Sequence, residues 1–151
     1  MTRIVAGSAK GRTLAVPKSG TRPTSERVRE ALFSRLDHMN VLEGATVLDL
    51  FAGTGALGLE ALSRGAARAT LVEKASAAAR VASANVRATG LPARVVTADV
   101  RAYLGARSGE ALTGENDLVF IDPPYDIPEG DMTTVLSALA PWVGPDSLIV
   151  V

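Results

Sequence analysis

Four consecutive residues, Asp122-Pro123-Pro124-Tyr125, carry the most specific chemistry in this chain. A carboxylate and a backbone carbonyl that accept both N–H bonds of a planar amino group pull its nitrogen toward tetrahedral geometry. The lone pair, otherwise delocalised into an aromatic ring, can then attack an electrophile. Two consecutive prolines hold the Pro123 carbonyl rigidly, and Tyr125 offers a flat face to an extruded base. Asp122 can take the departing proton or pass it to water. A Pro-Pro-aromatic run alone is an ordinary rigid turn. Here it directly follows the apolar run Leu118-Val119-Phe120-Ile121, at the carboxyl end of an expected strand, where open α/β sheets bind ligands.

The second constellation is Gly53-Thr54-Gly55-Ala56-Leu57-Gly58, between an expected strand and helix. Glycines let the backbone turn sharply and let a ligand approach, while the helix N-terminus offers N–H donors. Glu73 follows Gly53 by 20 residues and ends the next strand, where a carboxylate can accept both hydroxyls of a ribose. That spacing alone suits a nicotinamide enzyme equally well. Asp49, four residues before Gly53, tilts the choice. A carboxylate beside the loop suits a cofactor with a cationic amino-acid tail and suits a pyrophosphate badly; it could also simply brace the loop. Asp99 could accept the exocyclic amine of an adenine, or cap the helix that follows it.

These residues need a frame. Val47 to Leu50, Thr70 to Val72, Val95 to Thr97, Leu118 to Ile121 and Leu148 to Val151 read as strands. Helices are expected at 56–64, 75–88, 100–104 and 131–139, closed at Gly65 and Gly90 by glycine caps. Strands without clean alternation, separated by helices, indicate a doubly wound α/β fold with a mostly parallel sheet. Ahead of it, residues 3–7 and 12–16 read as a small hairpin, and 17–23 as a loop. Thr24 or Ser25 caps a helix to about Leu36 whose apolar stripe is Val28, Leu32 and Leu36. The expected organisation is a basic arm over 1–23 and a ligand-binding domain over 24–151.

Among 151 residues there is no cysteine and only one histidine, His38. A disulfide framework and a Cys-based zinc site are excluded, and no metal is expected. No apolar run approaches membrane-spanning length, so a soluble, cytoplasmic protein is expected. The zero net charge hides an asymmetry. In residues 1–36 eight basic groups face Glu26 and Glu30, leaving +6, and the remainder carries −6. A basic end of this kind suits a polyanion.

Together these residues resemble Rossmann-like class I S-adenosylmethionine methyltransferases with an Asp-Pro-Pro-Tyr motif. The resemblance is closer still to the bacterial 16S rRNA (guanine(966)-N(2))-methyltransferases. It is carried by Arg3-Ile4-Val5-Ala6-Gly7, Lys10-Gly11-Arg12, Arg22-Pro23-Thr24, the run Arg27 to Ser34, and the segment Leu48 to Gly58. The resemblance implies S-adenosyl-L-methionine as cofactor. It places Asp49, Phe51, Ala52, Gly53, Thr54 and Gly55 along the methionine part, and Glu73 at the ribose with Lys74 beside it. Asp99 and Val100 would meet the adenine, and Asp122, Pro123, Pro124 and Tyr125 would grip the target guanine. Arg3, Lys10, Arg12, Arg22, Arg27 and Arg29 would guide 16S rRNA within a small-subunit assembly particle, the enzyme acting as a monomer. The family's sheet continues into an antiparallel pair, so the chain is expected to be cut short at Val151.

Rival readings differ in what they leave idle. A nicotinamide or flavin oxidoreductase gives no role to Asp49 or to Asp122. An adenine-N6 or cytosine-N4 methyltransferase would use the same motif, because all three targets are planar amino groups. A non-catalytic RNA-binding assembly factor would have little need of Asp122 and Tyr125.

Overall fold

The computed structural model describes residues 2–16, 25–107, 115–124 and 126–151. Tyr125, Arg22 and the loop expected over 17–23 lie outside the described residues.

A hairpin of β1 (Thr2–Arg3) and β2 (Thr13–Leu14), antiparallel, comes first. Helix α1 (Glu26–His38) follows, its first turn capped by Ser25, whose hydroxyl accepts from the Val28 N–H. Then come β3 (Thr46–Leu50), α2 (Ala56–Ser63), β4 (Arg68–Glu73), α3 (Ser76–Thr89) and β5 (Ala93–Thr97). The chain continues through α4 (Val100–Gly105), β6 (Asn116–Ile121), α5 (Glu129–Ser137) and β7 (Val143–Val150).

The five long strands form one parallel sheet in the order β5-β4-β3-β6-β7. The chain runs outward from β3 to β5 and then crosses back to β6. The gap between the carboxyl ends of β3 and β6 is therefore the topological switch point, where doubly wound sheets bind ligands. Leu50 pairs in register with Ile121 across it, so the glycine loop and the Asp122 corner leave the sheet side by side.

Each sheet face has its own core, because alternate side chains of one strand point to opposite faces. Val47, Leu118 and Phe120 pack with Phe33, Leu36, Leu59 and Leu71 on one face. Leu48, Leu50, Val119 and Ile121 pack with Leu104, Val135 and Leu139 on the other. Strands buried on both faces cannot alternate polar with apolar, which is why β3 and β6 read as continuous apolar runs. The hairpin joins the first core through Ile4 and Leu14.

Two sequence expectations change here. Helix α1 does not bury the stripe Val28, Leu32, Leu36: Val28 is 57% exposed, and the buried residues are Arg29, Phe33 and Leu36. A buried carboxylate, Glu60, draws Arg29 inward and sets the rotation of the helix. Strand β7 starts at Val143, well before Leu148. The Gly144-Pro145 stretch lies along an irregular register against Asn116, with Ser147 Oγ donating to the Asn116 carbonyl.

Candidate active site

The β3–α2 loop is shaped by unusual backbone. Gly55 lies at φ +86°, a conformation that favours glycine, and a Cβ there would stand 2.9 Å from the Leu71 Cδ1, which would have to shift. Phe51 is left-handed at φ 59°, a state that costs a bulky residue about 1–2 kcal/mol. It persists because the two residues after it are fastened: Ala52 N–H donates to the Val72 carbonyl at 3.0 Å, and Gly53 N–H is held by Glu73.

Glu73 accepts from Gly53 N–H through Oε1 and from Ala75 N–H through Oε2, each at 2.8 Å. One carboxylate thus joins the ends of β3 and β4. Each oxygen still has a lone pair for a ribose hydroxyl.

Asp49 lies beneath this loop, 1% exposed. Its Oδ2 accepts from Gly58 N–H at 3.0 Å, the loop-bracing role. Its Oδ1 has no partner among the described residues. Burial pushes the carboxyl up to about 7 against the Gly58 hydrogen bond, and the nearby charges of Asp122 and Glu73 push the same way. Asp49 is not itself among the residues that line the cavity above it.

Asp99 caps α4, its Oδ1 accepting from Arg101 N–H at 2.9 Å and Ala102 N–H at 3.2 Å. Burial opposes its charge, but the Ala102 amide and the Arg101 guanidinium and amide outweigh it and hold the carboxyl below the usual range. It stays ionised at neutral pH, with its Oδ2 at 3.8 Å from Lys74 Nζ.

A cavity of about 880 Å³ opens at the switch point. Phe51, Ala52, Gly53 and Thr54 line it, with Glu73, Lys74, Asp99 and Val100 further along and Asp122, Pro123 and Pro124 at the β6 end. The glycine loop and the Asp122 corner therefore share one space. The size suits a nucleoside-containing ligand together with part of a second one.

Some lining residues were not legible in the sequence. Thr2 and Val16 bring the hairpin to the cavity. Arg101, bonded to Asp131 at 3.0 Å, ties α4 to α5 at its edge. Both depend on distant segments meeting, and no local pattern announces them.

The basic residues expected to face RNA divide. Arg3, Lys10, Arg12 and Arg27 are exposed, with Arg12 also reaching the Ala88 carbonyl at 3.3 Å. Arg29 is a correction. It is fully buried, its Nε donates to Glu60 Oε1 at 3.2 Å and its Nη2 donates to the Arg3 carbonyl, so no phosphate can reach it.

Comparison with known proteins gives this arrangement a context. The family model described as conserved hypothetical protein 95 matches residues 2–151. Ribosomal RNA small subunit methyltransferase D of Escherichia coli is 42% identical over 151 residues, covering 99% of this chain and 73% of its own. A solved Escherichia coli structure described as a candidate methyltransferase superposes with a TM-score of 0.82 at 38% identity, covering 97% of this chain and 77% of that one. A further candidate methyltransferase, solved with SAH bound, gives a TM-score of 0.52 at 26% identity over 64% of this chain and 29% of that one.

Proposed function

The chain belongs to the conserved hypothetical protein 95 family, and from that premise we propose that it methylates the exocyclic N2 of a guanine in 16S ribosomal RNA with S-adenosylmethionine as donor. One observation carries the reading: the glycine loop and the Asp122-Pro123-Pro124 corner line the same cavity. A methyl donor seated on the first and an amino group held by the second would be neighbours.

The residues present fit the donor. Asp49 Oδ1 is a buried acceptor without a partner, and an ammonium at the amino-acid end of the ligand would satisfy it and favour its ionised form. Glu73 retains acceptor capacity for ribose hydroxyls, and the ionised Asp99, with Val100 and Lys74, offers an edge for adenine. Phe51 to Gly55 supply the backbone against which the amino-acid portion lies. When bound, S-adenosylmethionine supplies an electrophilic methyl on a sulfonium.

The chain's own contribution to the chemistry is orientation. Asp122 and the Pro123 carbonyl accept the two N–H bonds of the guanine amino group, which localises the nitrogen lone pair. Asp122 then receives the proton or relays it to water. Pro123 and Pro124 keep the carbonyl from swinging away, and Tyr125 stacks on the extruded base. Alignment of this kind accounts for most of the acceleration such a transfer needs.

The exposed Arg3, Lys10, Arg12 and Arg27 would contact RNA phosphates. The substrate is the RNA within a small-subunit assembly particle, met in the cytoplasm by a monomeric enzyme.

The test is methyl transfer to 16S ribosomal RNA, with mass-spectrometric mapping of the modified base. Asp122→Ala should lower transfer by about 10²–10⁴-fold and leave RNA binding close to the wild type. Full transfer by that variant would sink the mechanism, and label on adenine N6 or cytosine N4 would move the target.

A further inference from the structure

Asn85 joins two segments that lie far apart in the chain. It sits on the buried side of α3 and is 2% exposed. Its Oδ1 accepts from Ala15 N–H at 2.7 Å, and its Nδ2 donates to the Ala15 carbonyl at 3.1 Å and to the Thr54 carbonyl at 3.0 Å. Ala15 directly follows β2, and its neighbour Val16 lines the cavity. Thr54, in the middle of the glycine loop, lines it too. One carboxamide therefore holds the basic hairpin and the cofactor loop at once.

The surroundings make that link directional. Ala78, Ala79 and Ala82 occupy the buried face of α3 beside Asn85, and small side chains let both segments come close. An ideal Cβ on Gly55 would stand 3.8 Å from the Ala82 Cβ. Apolar packing through Ile4 and Leu14 already seats the hairpin on the core, and the Ser63 hydroxyl, accepting from Ala9 N–H and donating to the Ala6 carbonyl, fastens its turn. Asn85 adds a hydrogen-bonded route from the hairpin to the loop itself.

We propose that Asn85, through its simultaneous bonds to Ala15 and Thr54, is a positioning residue that couples RNA held by the hairpin to the nucleoside cofactor held by the loop, each tightening the other's binding. The physical route is shared ordering. A ligand that fixes one wall also fixes the amide, and the second ligand then meets a wall already ordered. Such coupling is reciprocal in binding free energy. The proposal rests on the methyltransferase reading above.

The experiment uses the full chain, S-adenosylhomocysteine as the cofactor probe and a small-subunit assembly particle carrying unmethylated 16S ribosomal RNA as the RNA probe. Calorimetry gives the S-adenosylhomocysteine affinity with and without saturating RNA, and hydrogen exchange follows residues 52–58 in the same samples. In the wild type RNA should tighten S-adenosylhomocysteine binding about fivefold or more and slow exchange in the loop. In Asn85→Ala and in the isosteric Asn85→Asp, which lacks the donor to Thr54, that ratio should fall to within about twofold of one. A merely structural Asn85 would weaken both affinities and keep their ratio. A retained ratio in either folded variant, or a wild type without coupling, overturns the proposal. Methyl transfer is scored separately: coupling without transfer overturns the functional reading and leaves the coupling standing.

Discussion

Two buried carboxylates meet the same short helix and are treated in opposite ways. Glu60, on α2, is fully buried. Its Oε1 accepts from Val5 N–H and Arg29 Nε, and its Oε2 accepts from Ala6 N–H and Arg64 Nε. Asp49 meets α2 two residues earlier, at Gly58, with one oxygen bonded and the other without a partner among the described residues. Glu60 has donors for both oxygens and two cations beside it, so it serves as a fastener between hairpin, α1 and α2. Among the described residues Asp49 has no cation beside it, and burial pushes its carboxyl up to about 7. A buried carboxylate with donors on both oxygens builds structure, even though Arg29 Nη1 beside it has no partner among the described residues; one with a bare oxygen beneath a cavity marks a place for a ligand.

The largest effect should come from breaking the complete set. Glu60→Ala leaves the fully buried Arg29 without a counter-charge, Arg64 keeping Asp37, and should cost about 3–5 kcal/mol of stability in chemical denaturation. A loss below about 1 kcal/mol would be the cost of an exposed pair and would erase the contrast.

Next is Asp49→Asn, which should do the reverse. S-adenosylhomocysteine affinity should fall about tenfold to a hundredfold, matching the ~1.5–3 kcal/mol of a hydrogen bond to a charged group. Stability at pH 8 should hold or rise, because an ionised buried carboxylate and its repulsion of Asp122 and Glu73 are gone. A variant that keeps wild-type affinity would remove Asp49 from the site.

The pH profile sharpens the same point. The folded Asp49 carboxyl, at about 7, lies above its ordinary value of 3.8. Its ionisation therefore costs stability as pH rises through that interval; the cost is absent below about 4 and complete above about 7. A cationic ligand reverses the preference, so S-adenosylhomocysteine affinity should climb from pH 5.5 to about 7 and then level. Calorimetry should also detect proton release on binding below pH 7. A flat profile would mean that Asp49 does not sense the ligand.

The smallest effects belong to the surface. Lys10→Ala and Arg27→Ala should change stability by no more than about 0.5 kcal/mol, while each lowers the salt dependence of RNA binding by about one contact. An unchanged slope for both would leave the exposed basic groups as solvated surface.

The doubly wound architecture and the strand ends that carry Gly53, Glu73, Asp99 and Asp122 were legible from residue types in order. Parallel strands buried on both faces have no choice but continuous apolar runs, and glycine at Gly55 is favoured by its own backbone. Those are local constraints, written into consecutive residues. The rotation of α1 was not legible, since Val28-Leu32-Leu36 is as good a stripe by spacing as the one actually buried. The start of β7 was hidden by Gly144 and Pro145, which signal a turn unless a neighbouring strand tolerates their irregular register.

Sequence order alone therefore determined which chemical groups reach the carboxyl edge of the sheet. Packing decided what each of them does. Arg29 and Glu60 are 31 residues apart, and no spacing rule shows that one will bury the other's charge instead of facing RNA. The same holds for Asn85, whose partners lie on segments brought together only when α3 packs against the sheet. A side chain's type sets the bonds it can make, but burial and the identity of its partners come from contacts between distant parts of the chain.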